Sequence, residues 1–337
     1  MTELTARDVE DAATSFLPVV ARTPALSALS LDQAVGWPVV CKAESLQRTG
    51  SFKFRGAYHH ASSLPTSERA QGLIGASSGN TPRPGPGRPT PRSAGHRRHP
   101  RRRPDSEGRR HPRVGRPGRY LPPGLENGDA LVAEIAARDG LAVVPSANSR
   151  HIMAGAGAGA GAGTGTVALE LLTDHPEIET LVVPVDGGGL DAGTATIAKH
   201  LNPGIKVIGV EPQGGADTLL SMRCGQRIAL PEVPATIADG LGHTSPSPLT
   251  WVVNSRLLDA VVTVTDQDIT SAMAFAFRHL KVVAEPSGAC ALAAVLGGLV
   301  PHESGMIGVV TSGGGVDLPT FHRLISQATR RKEPACV

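Results

Sequence analysis

From Leu181 to Gly315 short aliphatic runs alternate with helix-length stretches, and few folds accept that order. Leu181-Val182-Val183-Pro184-Val185 reads as a strand buried on both faces. A glycine loop and a helix to about His200 follow, then a turn at Asn202-Pro203-Gly204 and a strand from Lys206 to Val210. Ala260 to Val264 is the next strand, Asp266 caps a helix to about Arg278, and Ala289 to Leu299 is apolar and helical. Ile307 to Val310 is a final strand that ends in Thr311-Ser312-Gly313-Gly314-Gly315. Strands separated by helices of about ten residues or more cannot pair as hairpins, so they predict a parallel sheet covered by helices on both faces. The first half carries the same signals more sparsely. Thr5 and Asp8 predict a capped helix start, Val39-Val40-Cys41 a strand, and 51–62 a helix. Asp129 to Arg138 predicts a helix stopped by Gly140, and 141–144 a strand. The 337 residues suffice for one large or two moderate domains, and with 3% aromatics the core must be built from Ala, Val, Leu and Ile.

Two stretches break the order. Residues 154–166 are nearly pure Gly and Ala, a composition expected to be flexible and to bury almost nothing. Residues 81–125 hold 13 arginines, two acids, 11 prolines and seven glycines, a composition that predicts no packed helix or strand. That segment carries a formal +11, which leaves −8 on the rest of a chain whose net charge is +3. An arginine run can bind nucleic acid, but only Tyr120 interleaves an aromatic here and no binding motif appears, so no nucleic-acid partner is expected. The four cysteines are scattered, without paired spacing for zinc or disulfides, which fits a reducing cytoplasm, and the twelve histidines show no metal spacing. The polar start, Met1 to Glu10, does not read as a signal peptide, and no apolar run reaches the ~18 residues of a membrane span.

A lone lysine is ordinarily a solvated surface charge; the surroundings of Lys53 are not ordinary. The run Lys42-Ala43-Glu44-Ser45-Leu46-Gln47-Arg48-Thr49-Gly50-Ser51-Phe52-Lys53-Phe54-Arg55-Gly56-Ala57 closely resembles the cofactor-lysine motif of the serine/threonine dehydratases and serine racemases, which use pyridoxal 5′-phosphate (PLP). On that resemblance Lys53 forms the Schiff base with PLP and later shuttles the substrate Cα proton, two roles suited to an amine, and Phe52 lines the pyridine ring. Ser77-Ser78-Gly79-Asn80 resembles the family's substrate loop. Its backbone N–H groups grip the substrate carboxylate, Asn80 bonds the cofactor's 3′ oxygen, and Ser78 stands where racemase relatives carry a second base. The family's next residue is usually His; here it is Thr81.

Val185-Asp186-Gly187-Gly188-Gly189-Leu190 follows a strand and opens a helix, where bare backbone N–H groups can cradle a phosphate. The family has four glycines. Asp186 replaces the first, and Asp191 stands where an apolar residue is usual, so two carboxylates are expected to oppose a phosphate dianion. Ser312 matches the residue that hydrogen-bonds the pyridine nitrogen, and Glu285, in Glu285-Pro286-Ser287-Gly288-Ala289, lies near the ring face. Glu211, the Gly215 carbonyl and Asp217 resemble the Mg²⁺ or Ca²⁺ site of metal-activated members.

The resemblance covers roughly residues 4–80 and 126–325. It implies the two-domain α/β fold of tryptophan-synthase-β-like PLP enzymes (fold type II). Residues 1–72 and 145–325 form a large PLP domain, 73–144 a small one, and 326–337 a C-terminal tail, with no regulatory domain after it. It further implies β-elimination of threonine or serine to a 2-oxo acid and ammonia, as in isoleucine biosynthesis, by a cytoplasmic homodimer with a small hydroxy-amino-acid substrate and no membrane partner. A serine-type racemase and an inactive relic are the alternatives. Back-translation lets 81–125 be read as family-like sequence in shifted frames, so an out-of-frame segment is the simplest account of it, and the Gly/Ala run is open to the same explanation.

Overall fold

The structure is a computed structural model and describes residues 4–15, 19–76, 119–121, 128–143 and 157–330. Six strands form the main sheet in the order β1-β2-β9-β6-β7-β8, from β1 (Ala25–Leu26), β2 (Val39–Ala43), β6 (Ile178–Pro184), β7 (Lys206–Pro212), β8 (Ala260–Val264) and β9 (Met306–Thr311). Only β1 runs antiparallel, and it pairs with β2 at the edge; the other pairings are parallel. A second, parallel sheet orders β4 (Arg119–Leu121), β3 (Leu73–Ala76) and β5 (Ala142–Val143). Its strands all lie between residues 73 and 144.

The expected alternation holds because central parallel strands are covered on both faces and select unbroken aliphatic runs. β6 is buried at six of seven positions and β7 at six of seven. The helices are α1 (Ala6–Ser15), α2 (Leu29–Val35), α3 (Lys53–Ser63), α4 (Thr66–Gln71), α5 (Gly128–Asp139), α6 (Gly157–Asp174), α7 (Gly189–Leu201), α8 (Asp217–Cys224), α9 (Pro248–Leu257), α10 (Asp266–Phe275), α11 (Pro286–Leu296) and α12 (Leu318–Arg330). One core, centred on α11 and α10, fills one side of the sheet; a second, with α1, α6 and α7, fills the other. No helix among the described residues is long and apolar enough to cross a membrane.

Several sequence expectations need correction. Thr5 and Asp8 do cap α1 reciprocally, but α10 is capped by Thr265, not Asp266. The Thr265 hydroxyl accepts from the Asp268 N–H, and Asp268 accepts from the Thr265 N–H. Asp266 instead accepts from Thr236 Oγ1 at 2.6 Å. α10 stops at Phe275 and passes into a π-helical turn, Ala276–Leu280. α11 begins at Pro286, whose fixed φ suits a first helical position, and stops at Leu296. Residues 326–330, read as tail, continue α12. Within 81–125 the described residues 119–121 form a strand, β4, which pairs with β3; the rest of the segment lies outside the described residues.

The largest correction concerns the Gly/Ala run. From Gly157 onward it is helix α6, and Ala162, Thr166, Val167, Ala168 and Leu171 are fully buried in it. Missing side chains let neighbouring backbones approach. A Cβ on Gly163 would stand 2.8 Å from the Arg55 carbonyl oxygen and 2.9 Å from Gly56 Cα in α3; one on Gly165 would stand 2.8 Å from the Gly193 carbonyl oxygen in α7. The run therefore contributes burial by contact with its partners, which composition alone cannot register. Alanine normally stabilises a helix over glycine by roughly 1 kcal/mol, yet Gly163→Ala should destabilise this protein by about 2 kcal/mol, because rigid backbone must move. Urea denaturation gives the sign; a stabilised variant would refute the close approach.

Candidate active site

The site gathers where parallel strands end, the crevice that open α/β sheets offer to ligands. β9 ends at Thr311, and Ser312, 4% exposed, follows. Phe52 donates its N–H to the Ser312 carbonyl at 3.0 Å, Ser51 forms a bridge with Gly313, and Gly314 donates to the Gly50 carbonyl at 2.9 Å. Glu285, half-buried just before α11, donates its N–H to the Gly313 carbonyl at 3.0 Å. The turn after β9 thus pins the start of α3, where Lys53 is the first helical residue. The charge of Lys53 reaches Asp186, His243 and Glu285. Burial raises the pKa of Glu285, and Lys53 works against that.

Behind Lys53 lies an ionic network that motif reading did not isolate. Arg55 is fully buried. It binds Glu44 through Nε at 2.9 Å and Nη2 at 2.8 Å, and Glu170 of α6 through Nη1 at 2.7 Å and Nη2 at 2.9 Å. Lys42 Nζ donates to Glu170 and to the Thr23 carbonyl, each at 2.7 Å. Burial lowers the pKa of Lys42, and Glu170 opposes the shift. Lys42, Glu44 and Arg55 all fall inside the quoted lysine motif, so acids and bases flanking a strand were the available signal; Glu170 had none.

β6 leads into Asp186 and the glycines. Gly188 has φ +92, and a Cβ there would meet Thr250 Cβ at 2.6 Å and Asn254 Nδ2 at 2.7 Å, both from α9. The carbonyls of the run are taken: Gly187 by Thr250 Oγ1 at 2.7 Å, Gly188 by Ala192 N–H at 3.1 Å and Gly189 by Thr164 Oγ1 at 3.0 Å. The N–H groups of Gly187, Gly188, Gly189 and Leu190 have no acceptor among the described residues, and a Cβ on Gly189 would meet nothing within 4 Å. Unused donors at the start of α7, open on one side and braced on the other, fit an anionic group such as phosphate.

The two carboxylates there do not face such a group bare. Asp186 Oδ1 accepts from the His243 backbone N–H at 3.1 Å and pairs with His243 Nδ1 at 2.7 Å. Burial alone would raise the pKa of Asp186, but His243 and Lys53 hold it below its ordinary value. Asp191 is 1% exposed and accepts from Asn254 Nδ2. Burial pushes its pKa up to about 8, so it is largely uncharged at neutral pH. Glu211 accepts the Thr218 and Leu219 N–H groups at 2.8 and 2.9 Å, acting as the cap of α8. Burial raises the pKa of Glu211 and of Asp217. Among the described residues no group of three or more His, Cys, Asp or Glu side chains is arranged to hold a metal ion, so the Mg²⁺ or Ca²⁺ expectation at Glu211, Gly215 and Asp217 rests on resemblance alone. Ser77, Ser78, Gly79 and Asn80 lie outside the described residues.

A family model described as pyridoxal-phosphate dependent enzyme matches residues 16–83 and 114–313. The chain belongs to that family. The match skips 84–113, a narrower interval than the sequence motifs alone left uncovered, and it takes in β4. The serine racemase of Oryza sativa subsp. indica is 35% identical over 322 residues, 92% of this chain and 90% of that protein. The L-threo-3-hydroxyaspartate ammonia-lyase of Saccharomyces cerevisiae is 31% identical, covering 95% of each chain. The solved structure of maize serine racemase superposes with a TM-score of 0.77 at 31% identity over 96% of this chain and 98% of that one. The fold is therefore that of fold type II PLP enzymes, and the glycine loop, with its four unused N–H groups, fits the phosphate of that family's cofactor.

Proposed function

We propose that this protein is an ammonia-lyase that uses PLP to convert L-threonine or L-serine to a 2-oxo acid and ammonia by β-elimination. The observation that carries the reading is the convergence of Lys53, Ser312 and the open glycine loop at one end of the sheet, with Lys53 and Ser312 tied through adjacent backbone. PLP, when bound, supplies an electron sink for the charge that develops at the substrate Cα. Lys53 would anchor the cofactor and, once the substrate amine has displaced it, would take the Cα proton. Phe52 would line the ring, the N–H groups of Gly187, Gly188, Gly189 and Leu190 would hold the phosphate, and Glu285 would stand near the ring. Ser312 would offer the ring nitrogen a neutral hydroxyl, which would leave the electron sink weak and suit prompt loss of a β-hydroxyl. The loop from Ser77 to Asn80 would receive the substrate carboxylate, and Asn80 would bind the cofactor.

Serine racemases among the relatives favour a second reading. In it Lys53 and Ser78 exchange the Cα proton from opposite faces. Incubating the PLP-loaded protein with L-serine and L-threonine separates the two. We expect 2-oxo acid to accumulate well ahead of any D-amino acid. D-serine as the main product would assign the chain to the racemases, and neither product would overturn both.

A further inference from the structure

The phosphate loop of this chain departs from an all-glycine loop at Asp186, and the structure pairs that departure with a second residue. We infer that Asp186 and His243 form a charge-balanced dyad in which His243 neutralises Asp186, allowing the adjacent glycine N–H groups to accept a phosphate dianion. The inference rests on the reading of Gly187–Leu190 as a phosphate site and assigns a role to His243.

Four geometric observations carry it, and the electrostatics agree with them. Asp186 immediately precedes the loop whose N–H groups lack acceptors, so an unbalanced carboxylate there would repel a dianion. His243 meets the same oxygen of Asp186 twice, through its backbone N–H at 3.1 Å and through Nδ1 at 2.7 Å, which fixes both the imidazole and the carboxylate. Both side chains are largely screened from solvent, at 25% and 18% exposed, so the pair is not a transient surface contact. His243 Nε2 has no hydrogen-bond partner among the described residues, which leaves a second N–H available to an anion. Asp186 raises the pKa of His243 and thereby favours the imidazolium.

The His243 proton sets the sign of the pH effect, within the field of its neighbours. Lys53, at the start of α3, acts on both members of the pair. Asp217, at the start of α8, acts on His243; Asp191 in α7 and Glu211 at the end of β7 lie in the field of Asp186. As pH rises, His243 loses its proton while Asp186 stays ionised, so the pair turns net negative beside the loop and a phosphate should bind less well.

The test uses 4′-deoxypyridoxine 5′-phosphate, which lacks the aldehyde that Lys53 would attack, and the same compound without its phosphate. Binding is measured by titration calorimetry on the cofactor-free protein between pH 6 and 9, the range about the ordinary histidine pKa. We expect the wild-type protein to prefer the phosphorylated compound and to lose that preference as pH rises above the ordinary histidine pKa. His243→Gln should weaken the phosphorylated compound about tenfold at pH 6.5, the size of one short-range charge interaction in a partly hydrated site, and leave the other compound unchanged. Adding Asp186→Asn to His243→Gln should restore affinity to within about threefold and flatten the pH dependence, an outcome that a merely structural role for His243 would not give. Unchanged phosphate preference in His243→Gln, or no rescue by Asp186→Asn, overturns the dyad and leaves the phosphate site standing. Equal binding of the two compounds by the wild-type protein at pH 6 to 6.5 overturns the phosphate site, and the dyad with it.

Discussion

Replacing Lys53 by alanine is expected to remove turnover of L-threonine or L-serine by about three orders of magnitude or more, and with it the visible absorbance of a cofactor bonded to the chain. On the proposed function Lys53 combines two roles, anchor and base, and loss of a positioned base alone costs roughly 10²- to 10⁴-fold. The variant should still fold. The start of α3 is held by backbone contacts of Ser51, Phe52 and Gly50 with the 312–314 turn, none of which involves the Lys53 side chain. Melting of the cofactor-free variant should stay close to wild type while the absorbance vanishes. Elimination activity retained in Lys53→Ala, with the visible band gone, would move the base elsewhere, and His243 would be the first group to test.

The sheet was readable from sequence because strands buried on both faces must be written as aliphatic runs, and β6, β7, β8 and β9 each fall on one. The family was readable from the lysine motif and the glycine loop because each is a contiguous run, and the donors of Gly187–Leu190 are neighbours in the chain. Features built from distant residues were not readable. Glu170 meets Arg55 across 115 positions, and nothing in the local pattern of α6 marks it as a half-buried, paired acid. Thr250 and Asn254 brace Gly188 from a helix with no signature of its own, and His243 comes from a loop. Asp186 and Asp191 were read as charges set against a phosphate, a reading that holds only for unpaired, ionised groups. Asp186 is paired, and burial keeps Asp191 largely uncharged at neutral pH. The Gly/Ala run failed for a related reason. Burial was inferred from side-chain size, whereas α6 packs by letting the backbones of α3 and α7 come close.

The second large effect is expected at Arg55. Arg55→Met should destabilise the cofactor-free protein by about 3–5 kcal/mol, a large share of the roughly 5–15 kcal/mol that holds a typical domain together. The buried cluster balances two cations, Lys42 and Arg55, against two anions, Glu44 and Glu170. Without Arg55 the Lys42–Glu170 pair survives, but Glu44 keeps only the Thr23 hydroxyl, at 2.5 Å, and loses its directly bonded counter-charge, with Lys42, already paired to Glu170, acting on it only through its field. Arg55→Lys should recover part of the loss and no more, because an ammonium cannot reproduce the fork that engages Glu44 and Glu170 together. The informative variant is the double one. Glu44→Leu with Arg55→Met removes the stranded charge along with its partner, and since apolar replacement of a buried ion pair is often neutral, it should regain more than half of the lost stability in urea denaturation. If Arg55→Met alone costs less than about 1 kcal/mol, the cluster is hydrated and not buried. If the double variant is worse than the single one, Glu44 is held by contacts other than its charge. Because Arg55 sits two residues beyond Lys53 on α3 and bonds Glu170 on α6, the same measurements report how much this cluster contributes to joining α3 to the Gly/Ala helix.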